Sequence, residues 1–180
     1  MKISERSLQN PAAVAAAAAI VVLFGFFFQP RVADEPKDNE EDTKFRPERP
    51  VPRGLVTLSE LRWVAFAAGV VQLVLSALLG WVLIALLVLV WAWMAVMVKE
   101  FFAPKVLKKS PVLYLVSHMM VMPLIDLYAT ACDWGAAGDT GHRGFGLTLG
   151  AFLLLSLING TAIELSRKAW APEHEREGVE

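Results

Sequence analysis

From Asp34 to Asp42 the chain reads DEPKDNEED, a run dominated by carboxylates. Most runs of this kind are solvated charge. Here Glu35, Asp38 and Asp42 recur at i, i+3 and i+7, which on a continuing helix places them within about 60° of one another. Such a face repels itself unless something positive sits against it. A hard cation such as Mg²⁺, held by a few carboxylates and by the phosphate oxygens of a ligand, is a natural counter-charge. The basic residues Arg31, Lys37, Lys44, Arg46, Arg49 and Arg53 interleave with the acids. Guanidinium groups grip phosphate oxygens in a bidentate fork, so the combination suits a phosphorylated ligand better than a bare ion.

The elements around this run are those of a membrane protein. Of the 180 residues, 56% are hydrophobic, above the roughly 45–50% of soluble domains. The excess is gathered into five runs, at about 12–30, 62–79, 81–98, 112–131 and 145–163. Each approaches the roughly 20 apolar residues that cross a hydrocarbon core of about 30 Å. The expected fold is therefore all-α, a single polytopic bundle of about five transmembrane helices. The second and third runs meet at Gly80 with almost no linker, which predicts a tight antiparallel hairpin. The first run follows Lys2 and Arg6 as a signal peptide would, but it ends in Phe26, Phe27 and Phe28 with no small-residue cleavage site, and four more runs follow.

Charge bias orients the bundle. When the connections alternate between the two sides, every one of the 17 Lys and Arg residues except Lys2, Arg6 and Arg143 falls on one side. The positive-inside rule then predicts that the acidic loop at 31–57 and the C-terminal tail face the cytoplasm. The same count puts the short basic N-terminus outside, which leads us to expect a preceding helix absent from this chain. The tail stops without a terminating feature, and a fragment cut at both ends is the expectation. Net charge is -1, which gives no field for nucleic acid, and the single Cys132 excludes an internal disulfide framework.

The acidic run thus follows directly on an apolar span. A ligand with an ionic head and a hydrocarbon tail would put its head here and its tail among the helices, and a prenyl diphosphate is such a molecule. DEPKDNEED followed by RPVPRG at 49–54 resembles the first motif of the UbiA superfamily of intramembrane prenyltransferases, N-D-x-x-D-x-x-x-D and then R-P-x-P-x-G. Asp34 stands at the Asn, Glu35 at the first Asp, Asp38 at the second and Asp42 at the third; the first two positions depart from the family pattern. The segment NGTAIELSRKAWAPEHEREGVE at 159–180 looks like a variant of the family's second acidic motif without its Asp residues.

The resemblance implies a Mg²⁺-dependent prenyltransferase, moving a prenyl chain from its diphosphate to an acceptor, with these five spans as the second to sixth of about nine. In those terms Asp34, Glu35, Asp38 and Asp42 hold the metal, and Asp38 and Asp42 are catalytic. Arg46, Arg49, Lys99, Glu164, Arg167 and Lys168 contact the substrate, while Glu173, Glu175 and Glu177 read as a solvated tail. The alternative is a non-catalytic relative that binds lipid or partner helices. Pro36 either kinks the end of the first span or marks 34–37 as a helix break.

Two ionisable residues lie inside the fourth run. Asp126 is costly near mid-membrane and reads as a structural hydrogen bond to a neighbouring helix or as a functional group. His118 reads as a buried hydrogen-bonding residue. Pro123 is expected to kink this helix. Tryptophans such as Trp63, Trp81 and Trp134 fall near span ends, as an interfacial belt requires.

Overall fold

The computed structural model describes residues 10–136 and 146–168, and all regular structure among them is helical. The order is α1 (Pro11–Phe45), α2 (Leu58–Leu79), α3 (Trp81–Val98), a 3₁₀ turn (Glu100–Phe102), α4 (Pro104–Lys109), α5 (Pro111–Met119), α6 (Val121–Ala136) and α7 (Leu147–Lys168). Five stretches are long and apolar enough to cross a membrane: Pro11–Phe45, Leu58–Leu79, Trp81–Val98, Pro111–Trp134 and Leu147–Ser166.

Local chemistry sets the boundaries. Asn10 caps α1 by accepting from the Ala12 amide at 3.1 Å, with Pro11 at the first turn where its missing N–H costs nothing. Thr57 and Glu60 form a capping box at α2: the Thr57 hydroxyl accepts from the Glu60 amide at 3.2 Å, and the Glu60 carboxylate accepts from the Thr57 amide at 2.7 Å. The expected hairpin turns at Gly80, whose φ of 132° closes α2 and opens α3 in a region that side-chain-bearing residues avoid.

One expectation that involves proline is revised. The segment 31–57, read as a loop, is helical as far as Phe45, and α1 runs through both Pro30 and Pro36. Each proline removes one backbone hydrogen bond, yet neither ends the helix, so the acidic run is a helix extension. Pro123 is expected to kink the fourth span, and the helix is interrupted one turn before it. Pro123 has no N–H for the Met119 carbonyl, and at that point the fourth span divides into α5 and α6 around Met120.

The core lies where α1, α3 and α6 meet. Val22 and Phe26 pack with Leu83, Leu87 and Val90 and with Ile125, Tyr128, Ala131 and Cys132. Phe26 meets Tyr128 edge to face at 5.3 Å. Buried Ala15, Ala18 and Ala19 let α1 approach its neighbours closely. Helix α2 packs on α1 and α3, and α7 packs against α5 and α6, where Gly160 admits the Met122 side chain.

Polar residues join three of the helices. Gln72 of α2 donates from Nε2 to the Val22 carbonyl of α1 at 2.9 Å, an approach possible because Gly25 has no side chain. The Ser76 hydroxyl donates to the Gln72 carbonyl at 2.7 Å, so its oxygen accepts from the Tyr128 hydroxyl of α6, also at 2.7 Å. In lipid such bonds contribute about 0.6 kcal/mol each, up to roughly 2, and they fix register where apolar packing alone discriminates weakly. The outward faces are apolar, with Ile20, Phe24, Trp63, Phe66, Leu78, Leu154 and Leu155 all exposed. A surface of this kind is that of helices in a lipid bilayer, and the chain is an integral membrane protein.

Candidate functional site

Helix α1 has 35 residues, or about 52 Å at 1.5 Å per residue, well beyond a hydrocarbon core of about 30 Å. Its apolar part ends near Phe28, and the remainder carries the acidic run out as a polar extension. Lys37 donates from Nζ to the carbonyl of Val98 at 3.0 Å, satisfying one of the open carbonyls at the end of α3. The extension and the end of α3 are thereby held side by side.

Along the extension the acids are paired with bases. Arg31 bonds Glu35 at 2.7 Å and stands 4.0 Å from Asp38, while Lys37 lies 3.8 Å from Asp34. Burial pushes the Asp34 carboxyl above the ordinary carboxylate range; Lys37 and Arg31 act against this, and the neighbouring charge of Asp38 adds to it. Asp42 differs from the rest. It is 1% exposed and holds both Arg46, at 3.3 Å, and Arg49. Those two bonds fold residues 46–54 back against the helix end.

The four carboxylates expected to share one metal ion are not equivalent. Among the described residues no three His, Cys, Asp or Glu side chains gather where one ion could reach them. Asp42 is turned to two arginines, and Glu35 to Arg31. Asp34 and Asp38 remain, about half exposed and one turn apart on the same helix. Mg²⁺ commonly takes only one or two carboxylates and completes its shell with water and substrate phosphate. The Asp34–Asp38 pair fits that donor set, and Asp42 does not.

The other expected site residues are spread more widely. Lys99 is exposed at the end of α3. Glu164 lies in α7, half-buried; Arg167 and Lys168 close the same helix, and their side chains, like Glu173, Glu175 and Glu177, lie outside the described residues. The half-buried Asp126 makes no side-chain hydrogen bond to a neighbouring helix among those described, and its carbonyl accepts from the Thr130 hydroxyl at 2.8 Å. His118 is hydrogen-bonded as expected: Nδ1 donates to the Tyr114 carbonyl at 2.9 Å, and its ring stacks on that of Tyr114.

Sequence reasoning passed over an aromatic cluster beside the extension. Glu100, Phe101 and Phe102 all have left-handed backbones, with φ of 50°, 52° and 55°, a conformation that costs roughly 1–2 kcal/mol per residue without glycine. The strained turn sets the Phe101 ring against Trp93 at 5.4 Å and His118 at 5.8 Å. His118 in turn lies within electrostatic reach of Asp34. No glycine or turn motif in the sequence announces this arrangement.

No protein-family profile matches the chain, and neither a curated protein nor a solved structure was found to match it.

Proposed function

We propose that this chain binds an isoprenoid diphosphate at the polar extension of α1 and belongs to a membrane prenyltransferase of the UbiA kind, transferring the prenyl chain to an acceptor. The observation that carries this reading is the continuity of α1. One helix joins an apolar span to the Asp34–Asp38 pair, so an amphiphile can lay its tail along the bundle and its head among these charges.

Charge balance argues that the head arrives with a cation. Between Arg31 and Arg53 the acids outnumber the bases, and a bare diphosphate would be repelled. When bound, Mg²⁺ would neutralise diphosphate charge and favour its departure as a leaving group. Asp34 and Asp38 would hold it. Arg31 and Lys37 are half-exposed beside them and can turn to phosphate oxygens once the acids have another partner. Arg49 has N–H donors beyond the one given to Asp42, and in this reading Arg46 and Arg49 brace the loop beside the head group. Lys99 follows the Val98 whose carbonyl Lys37 holds and is a further candidate, as are Glu164, Arg167 and Lys168 of α7. The charge bias of the connections supports a cytoplasmic position for the site.

A transfer assay tests the reading. The purified protein in lipid, given labelled prenyl diphosphate, Mg²⁺ and a panel of lipid-soluble acceptors, should move label into an organic-extractable product; label remaining wholly in diphosphate across the panel would contradict it.

A further inference from the structure

Just beyond the end of α3 two neighbouring rings part company: Phe101 lies against Trp93 and His118, while Phe102 is 78% exposed. The left-handed backbone of Glu100, Phe101 and Phe102 produces the split. Strained backbone of this kind gathers where function requires it. Helix α4 continues the pattern. Leu107 is buried, whereas Val106 is exposed, with Lys105 and Lys109 exposed on either side of it along the chain. From Phe101 to Ile125 the sequence carries three lysines, Lys105, Lys108 and Lys109, and no acidic residue. This connection leaves the third span at Val98 and enters the fourth at Pro111, so it lies at the bilayer surface.

An exposed apolar pair among lysines suits one kind of surface. An acidic protein loop or a free phosphate would meet the lysines and leave Phe102 and Val106 in water. The boundary of an anionic bilayer takes both, with apolar side chains among the acyl chains and ammonium groups at the phosphates. We propose that residues 102–109 bind anionic phospholipid, Phe102 and Val106 entering the acyl boundary and Lys105 and Lys109 holding headgroup phosphates. Near a negative surface each lysine contributes about fivefold in affinity, so the two favour an anionic over a zwitterionic headgroup by roughly twentyfold. The surface uses no residue of the diphosphate reading and stands or falls separately from it.

The test places a bimane label at Pro104→Cys, an exposed position between Phe102 and Lys105; the native Cys132 is buried. The full chain in phosphatidylcholine nanodiscs is then titrated with phosphatidylglycerol or phosphatidylcholine brominated near the top of the acyl chains. Both lipids should quench the label, and half-maximal quenching should need at least about tenfold less brominated phosphatidylglycerol. Lys105→Gln/Lys109→Gln should bring the two lipids close to equal and leave quenching by phosphatidylcholine unchanged. A label that neither lipid quenches would show the segment standing in water, and equal quenching with both lysines in place would show no headgroup preference; either result overturns the proposal. So would a preference that survives the double substitution undiminished. The comparison of the two lipids with both lysines in place decides the matter even if the double variant fails to fold.

Discussion

Lys37 reaches from the polar extension of α1 to the backbone carbonyl of Val98 at the end of α3, 61 residues along the chain, with a separation of 3.0 Å. This bond ties the acidic segment to the bundle and sets where Asp34 and Asp38 stand. Lys37→Met keeps the length and apolar stem and removes the donor. Amide hydrogen exchange over residues 31–45 should then accelerate while α2 and α6 remain protected. Unchanged exchange would show that the extension needs no such tie.

Asp42 should prove to be a structural residue. Asp42→Ala strands the Arg46 and Arg49 charges. The cost is about 2 kcal/mol, below the roughly 3–5 of a wholly buried pair because both arginines are partly exposed. Thermal unfolding in detergent should report that loss, and proteolysis should open first at 46–54. An Asp42→Ala protein of wild-type stability would contradict the assignment.

The Gly25–Gln72 approach is tight enough to test by coupling. A Cβ on Gly25 would fall 2.6 Å from Gln72 Nε2, so Gly25→Ala must displace the amide from Val22 and should destabilise by about 1–3 kcal/mol. In Gly25→Ala/Gln72→Ala the second substitution removes the clash. The double variant should therefore be less destabilised than the two single losses added together. Strict additivity would show that the two residues do not meet.

Protons should compete with the metal at Asp34. Burial holds that carboxyl above the ordinary range, and ligation needs the ionised form. Mg²⁺-dependent binding of a prenyl diphosphate should therefore strengthen as pH rises through mildly acidic values, with its acid limb above that of an ordinary aspartate. A limb at the ordinary position would contradict a ligand role for Asp34.

The five helices were legible because length and hydropathy suffice for elements whose backbone must be satisfied internally in lipid. The i, i+3, i+7 spacing of Glu35, Asp38 and Asp42 also indicated a helical face. The reading of 31–57 as a loop failed over 31–45 because the charges and Pro36 were weighed by local propensity, whereas docking of α1 on α2, α3 and α6 and the Lys37 tie offset the lost hydrogen bonds. The partners of Asp42 were hidden because they depend on how 46–54 turns back after the helix ends. Gln72 and Tyr128 have no spacing to mark them, and only the packing of α2 against α1 and α6 brings out their roles. The left-handed turn at 100–102 contains no glycine, so nothing in its residue types pointed to it.

The most direct test of the central claim is the affinity of the purified protein for a prenyl diphosphate with and without Mg²⁺, in wild type and in Asp38→Asn. Asp38 is about half exposed, and Asn preserves its shape, so folding should be unaffected. The expected result is binding that requires Mg²⁺ and falls at least tenfold in Asp38→Asn, with unchanged helical content. Binding that ignores both the metal and the substitution, or no binding by well-folded wild-type protein, would contradict the account.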